Sequence, residues 1–166
     1  FFYYDKRNSR RLLVSVKITD NKRLWDNLKQ ELKATGSKEV VTGIQKGEVN
    51  DGVLVADYAT WNEFGTRKIP SRPFMRTYFD NSVSRLEKFS VNGVTQVLLG
   101  KTTFMQFLNA AGVEMVNGVK KSITNGEWAP NAPLTVSLKG SSKPLIDKGV
   151  MLNSVTFAIH PYGKTK

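Results

Sequence analysis

Hydrophobic and polar positions along this chain fall into stretches of two periods. Leu12-Leu-Val-Ser-Val-Lys-Ile18 alternates, with Val14, Val16 and Ile18 on one side, and predicts a strand. Asp20 offers an N-cap carboxylate for a helix to about Lys33, in which Leu24, Trp25, Leu28 and Leu32 recur at helical spacing and Gly36 supplies the stop. Val40-Val-Thr-Gly-Ile44 and Val53-Leu-Val-Ala56 are strand-like on either side of Asn50-Asp-Gly52, whose residues tolerate positive φ, so residues 39–57 predict a hairpin with a long tip. Tyr58 to Phe64 reads as a short helix offering Ala59, Trp61 and Phe64 for packing and stopping at Gly65. Pro73 suits the first turn of the next helix, where its missing N–H costs nothing. Met75, Tyr78, Phe79, Val83, Leu86 and Phe89 continue that helix as a stripe to about Ser90, and Val94 to Leu99 fits either a helical turn or an extended linker.

The longest predicted element runs from Thr102 to about Asn125. Phe104, Phe107, Leu108, Ala111, Met115, Val119 and Ile123 make one apolar face, and Met105, Val113 and Val116 lie off it. A helix apolar on more than one side is sandwiched, here within the core or against a neighbouring subunit. Asn125-Gly126 ends it, Trp128-Ala-Pro-Asn-Ala-Pro133 is a stiff loop, and Leu134 to Leu138 is one helical turn. Gly140-Ser-Ser-Lys-Pro144 is a loop and Val150 to Ile159 a strand. Together these elements predict an α+β fold, a mostly antiparallel sheet of three to five strands packed against two long helices. One domain is expected over 12–160, with an aromatic and basic arm at 1–11 and a flexible tail at 161–166.

Composition narrows the chemistry. With 166 residues, 40% hydrophobic and 23% charged, the chain can bury one core without staples. The absence of cysteine excludes disulfides and thiolate chemistry, and with His160 as the sole histidine the usual zinc ligand sets cannot be built within one chain. His160, beside Pro161, is expected at the surface. No apolar run approaches the ~20 residues of a membrane span, and Phe1-Phe-Tyr-Tyr4 falls short of the roughly 7–15 apolar residues of a signal peptide. The net charge of +11 is uneven: residues 1–39 hold ten Lys/Arg and five Asp/Glu, residues 40–90 seven and six, residues 91–166 eight and three. Such a balance favours encounter with polyanions and with acidic protein surfaces alike. The cations are scattered rather than gathered in a nucleic-acid-type patch.

Candidate catalytic groups are few. Glu48 and Asp51 fall on the predicted hairpin tip as solvated turn residues, and Glu63 lies near Arg67, Arg72 and Arg76 as one side of a structural ion pair. Gly43-Ile-Gln-Lys-Gly47 lacks the Gly-Lys-Ser/Thr of a phosphate loop. Lys139-Gly-Ser-Ser-Lys143 offers an anion two lysines and backbone N–H groups, or is a surface loop. The aromatics interleaved with basic residues over Phe1–Arg11 suit stacking on single-stranded nucleic acid or burial as an arm by a partner subunit. No enzyme activity and no cofactor are expected.

Two segments resemble one family. Val55-Ala-Asp-Tyr-Ala-Thr-Trp-Asn-Glu-Phe-Gly-Thr-Arg-Lys-Ile-Pro-Ser-Arg-Pro-Phe-Met-Arg76 is similar to the A-x-x-x-E-F-G-T-x-x-I-P-x-R-P-F signature of neck and tail-completion proteins of long-tailed bacteriophages. Gly126-Glu-Trp-Ala-Pro-Asn-Ala-Pro-Leu-Thr135, followed by Lys139-Gly-Ser-Ser-Lys-Pro-Leu-Ile-Asp-Lys-Gly149, resembles the second signature of that family, in the same order and across a long helix. The resemblance covers about residues 40–158, and the first forty residues carry no match. It implies a virion structural protein at the head–tail junction, assembled in the host cytoplasm. It further implies a homo-oligomeric, hexameric ring between connector and tail that contacts other neck, connector and tail proteins, with DNA passing through the channel. The motif and interface residues it implies are Trp61, Glu63, Phe64, Gly65, Pro70, Arg72 and Pro73 in the first segment. In the second they are Trp128, Lys139, Lys143, Pro144 and Asp147. From the residues alone, the rival readings are a basic nucleic-acid-binding module and a small hydrolase using Glu48, Asp51 or Glu63.

Overall fold

A computed structural model describes residues 21–45 and 47–163. The expected arm at 1–11, the strand at 12–18, Asp20 and residues 164–166 lie outside them. Helix α1 (Lys22–Thr35) is capped by Asn21, whose side chain accepts from the Leu24 N–H at 3.3 Å, and ends at Gly36 with φ 57°. Strand β1 (Lys38–Ile44) follows, then the two-residue strands β2 (Val49–Asn50) and β3 (Val53–Leu54), joined by the expected turn with Asp51 at φ 50° and Gly52 at φ 81°. Helices α2 (Val55–Phe64), α3 (Phe74–Leu98) and α4 (Phe104–Asn125) come next. The short α5 (Pro133–Lys139) and α6 (Val150–Asn153) precede the last strand, β4 (Val155–Pro161).

The fold is mixed α+β, but its sheet is smaller than the pattern predicts. Among the described residues β1 pairs antiparallel with β4, Lys38 opposite Pro161 through Ile44 opposite Val155, and β2 with β3 forms a separate two-residue ribbon. The expected three-to-five-stranded sheet and the hairpin between 40–44 and 53–56 are thus corrected. Val55 and Ala56 belong to α2, and the partner of β1 lies more than a hundred residues downstream. A short apolar run such as Val53–Ala56 fits a strand or a buried helical turn equally well, and here it is split, Val53–Leu54 extended and Val55–Ala56 helical. Val150–Asn153 is helical rather than extended, and α3 passes its expected end near Ser90 to reach Leu98, which takes the helical of the two readings for Val94–Leu99.

Helix α4 is the centre of the packing. It lies against α3 and against both strands of the β1–β4 sheet, so its main apolar face is covered within one chain. Val55, Phe74, Val119, Ile123 and Val155 are fully buried, and burial of each such side chain contributes about 1.5–3 kcal/mol. Val113, off the main face, stays half exposed. Gly112 and Gly118 sit inside α4, where glycine costs about 1 kcal/mol relative to alanine. Their use is close approach: a Cβ at Gly112 would overlap the ring of Phe157, and one at Gly118 the ring of Tyr78. Thr103 and Gln106 form a capping box at the start of α4, and Glu31 of α1 reaches across to accept from the Phe104 N–H at 2.9 Å. No described helix is long and apolar enough to cross a membrane.

Candidate functional site

The turn from α2 to α3 is built around one glycine and one carboxylate. Gly65 ends α2 at φ 78°, ψ 167°, a region open essentially to glycine. An added Cβ would meet the Ser71 nitrogen at 2.9 Å and the Ile69 oxygen at 3.2 Å. The loop then returns its polar groups to the end of α2. The Arg72 N–H donates to the Asn62 carbonyl at 2.6 Å and the Ser71 hydroxyl to the Glu63 carbonyl at 2.9 Å, satisfying acceptors that a helix end leaves open. Within the loop, the Thr66 N–H donates to the Ile69 carbonyl at 2.8 Å.

Glu63 does something the sequence did not indicate. It is 7% exposed, and its two oxygens accept from the backbone N–H groups of Met75 at 2.9 Å and Arg76 at 3.0 Å. It is therefore the cap of α3, supplied from the preceding helix, with its charge at the positive end of the helix dipole. Pro73 carries no N–H, the Phe74 N–H turns back to the Arg72 carbonyl at 2.8 Å, and the Thr77 N–H reaches the Pro73 carbonyl at 2.9 Å. Every donor in the first turn of α3 thus has a partner. The expected ion pair survives only as a contact of 4.0 Å from Arg76 Nε to Glu63 Oε1, on a half-exposed arginine whose guanidinium also lies over the Phe64 ring.

Arg72 joins the two sequence segments. It is 5% exposed and donates from Nε to the Ala129 carbonyl at 2.8 Å, and from its terminal nitrogens to Asn62 Oδ1 at 2.8 Å, the Pro130 carbonyl at 3.1 Å and Asn131 Oδ1 at 3.3 Å. These partners on the second segment lie 57 to 59 residues away in sequence. Burial lowers the pKa of Arg72 from its ordinary value. Asn131 carries the link onward, its side-chain amide donating to the Lys143 carbonyl at 3.3 Å, to which the Lys139 ammonium also donates at 3.1 Å. The Lys143 N–H turns to the Ser141 hydroxyl at 3.2 Å, so the 139–143 loop closes largely upon itself.

Between these segments lies a cleft of about 370 Å³. Pro70, Arg72, Lys139 and Asp147 line it together, with Tyr58 and Asn131 on its walls. Lys139 has its pKa lowered, chiefly by burial, with attraction from Asp147 opposing and repulsion from Arg72 adding to the shift. Tyr58 is pushed up, chiefly by burial, against the hydrogen bond of Asn50. Leu145, on the rim, adopts φ 61°, rare for a leucine, and the Ile146 N–H donates back to the Pro144 carbonyl at 2.7 Å across it.

Other expected site residues lie elsewhere. Trp61 and Phe64 stand on the exposed side of α2, Phe64 at 66% exposure. Trp128 folds back onto the end of α4, its indole N–H donating to the Ser122 carbonyl at 3.2 Å. Glu48 and Asp51 are exposed turn residues, Asp51 facing Lys148 at 3.7 Å, and His160 is exposed on β4 opposite Glu39. Sequence reasoning passed over Asn62 and Asn131, which hold Arg72. The available signal was an asparagine set in each motif, one of them within the stiff Ala129-Pro-Asn-Ala-Pro133 run. No protein-family model, curated protein or solved structure matches the chain.

Proposed function

We propose that this chain is a structural, non-enzymatic subunit of a phage head–tail junction, a neck or tail-completion protein that assembles into a hexameric ring. The observation that carries the reading is the Arg72 bridge. The two segments that resemble the family are distant in sequence, and their arginine, asparagines and backbone carbonyls are used to hold one segment to the other. Such a network fixes shape. Of the carboxylates weighed for hydrolysis, Glu63 caps α3, and Glu48 and Asp51 are exposed, Asp51 facing Lys148.

Ring closure by heterologous contacts uses two different surfaces per chain. Exposed apolar side chains are present on separate elements, with Leu134 and Leu138 of α5 at 72% and 80% exposure, and Trp61 and Phe64 on α2. Partners in this reading are further copies of the chain and the neighbouring connector and tail proteins, with DNA in the channel. Sedimentation and negative-stain microscopy of the purified protein test it. A closed ring that Leu138→Glu or Phe64→Glu breaks into smaller species is the expected result. A monomer at every concentration, both by itself and mixed with connector and tail proteins, refutes it. The basic balance of +11 supports the alternative of a nucleic-acid-binding module, which would instead show affinity for DNA falling steeply with salt.

A further inference from the structure

The cleft between the two segments carries a buried guanidinium with no ion-pair partner among the described residues, and Asp147 is the carboxylate among its lining residues. All the hydrogen-bond acceptors of Arg72 are neutral oxygens, and no described carboxylate forms an ion pair with it. Buried charges are ordinarily paired, because neutral acceptors recover only part of the lost hydration. Lys139 faces the same space with one of its three protons on the Lys143 carbonyl. Lys68 and Lys148 line the cleft as well, Lys148 facing Asp51 at 3.7 Å, so the lining cations still outnumber its carboxylate. The walls between these charges are apolar, from Ile69, Pro70, Leu145 and Met151.

We propose that this cleft is a docking site for an acidic peptide segment of another protein, one Asp or Glu side chain of which enters between Arg72 and Lys139. A volume of about 370 Å³ lies at the small end of ligand pockets and suits one or two side chains rather than a folded element. Charge decides the class of occupant. The chain holds 25 Lys/Arg to 14 Asp/Glu, so an acidic partner complements it better than a second copy does. A nucleic-acid strand is the poorer fit, because phosphates track open rows of cations and this site is a recess with Asp147 in its lining. The side of the guanidinium that grips a phosphate or a carboxylate with two parallel bonds, Nε with one terminal nitrogen, is already taken by the Ala129 and Pro130 carbonyls, so any anion here meets Arg72 through a single bond. One Arg72 N–H and two Lys139 N–H groups remain, which suit a single carboxylate oxygen, while apolar flanks of the same peptide cover Pro70 and Leu145.

The inference does not rest on the head–tail reading: ring formation is read by mass, peptide docking by titration, and either can fail while the other stands. The test titrates the full-length, isotope-labelled protein with a capped hexaglutamate peptide, with hexaglutamine and hexathymidylate as comparison arms, and follows the Arg72 side-chain Nε–H and the backbone amides by NMR. Saturable shifts at the Arg72 Nε–H and over residues 68–72 and 139–148 with hexaglutamate are expected, and none with hexaglutamine. Lys139→Gln, which removes a charged hydrogen-bond donor, should weaken the peptide about tenfold, while Lys121→Gln on α4 leaves it unchanged. Shifts scattered over surface lysines overturn the proposal, as do equal losses in the two variants or the absence of saturation. Tighter binding of hexathymidylate at the same residues overturns it in favour of a nucleic-acid site.

Discussion

Replacing Gly65 by alanine perturbs the α2–α3 turn in two separable ways. Its φ of 78° and ψ of 167° lie where a residue with a Cβ is strained by about 1–3 kcal/mol. The new Cβ would also sit 2.9 Å from the Ser71 nitrogen and 3.2 Å from the Ile69 oxygen. Those are backbone atoms, pinned by the Thr66-to-Ile69, Ser71-to-Glu63 and Arg72-to-Asn62 hydrogen bonds, so they cannot step aside without loosening at least one bond at about 0.5–1.5 kcal/mol. Together the two effects predict a loss of about 2–4 kcal/mol for Gly65→Ala. Gly140 supplies the control, because it is left-handed at φ 66°, ψ 13° with nothing within 4 Å of an added Cβ. Gly140→Ala should cost only the backbone preference, about 1 kcal/mol. The restriction that alanine places on the unfolded chain is common to both variants and cancels. Urea titration followed by far-UV circular dichroism measures the difference. With a slope of about 1–3 kcal/mol per molar urea, Gly65→Ala should unfold roughly 1 M earlier than Gly140→Ala. Equal midpoints, or a milder effect at Gly65, would refute the reasoning that close approach makes glycine obligatory there.

Three other substitutions probe the remaining contacts. Glu63→Gln keeps one acceptor for α3 but turns an amide donor toward the other N–H; a loss of about 2–3 kcal/mol and faster hydrogen exchange at Met75 and Arg76 should result, and unchanged exchange at both would contradict the capping role. Gly118→Ala gains about 1 kcal/mol of helix propensity but overpacks Tyr78, so a net loss of about 1–2 kcal/mol is expected, and adding Tyr78→Leu should cost less than the two single losses combined. Burial lowers the pKa of Lys139 from 10.5, so between its folded value and 10.5 the unfolded chain binds more protons and stability contributed by this group rises with pH. The raised pKa values of Tyr58 and Tyr78 act oppositely, their contribution being lost as pH rises above 10.0. Lys139→Met should therefore steepen the alkaline decline of stability relative to the wild type; an identical profile would show that the cleft exerts no such effect.

Local features of this chain were readable without coordinates because short-range sterics decide them. Gly36 and Gly65 stop helices, Asn50-Asp-Gly52 turns, and the stripes of α3 and α4 place Tyr78, Val119 and Ile123 inward, although Val83 of the same stripe is exposed and the fully buried Phe74 lay outside it. A 3.6-residue repeat and a positive φ require only neighbours in sequence. Pairing was not readable. The run at 40–44 offers the same backbone groups to any strand, and only the packing of α4 against the sheet selects β4 over the nearer 53–56 segment.

The site divides in the same way. Proximity in sequence set Glu63 beside Arg72 and Arg76 as an ion pair, yet a buried carboxylate gains more from two helix N–H groups than from a half-exposed guanidinium at 4.0 Å. Arg72 in turn is held by Asn62 and by a loop nearly sixty residues on. Sequence by itself determined which residue types were present and where the chain could bend. Tertiary structure decided which polar groups found each other, because a buried donor takes whichever acceptor the closed core brings within reach.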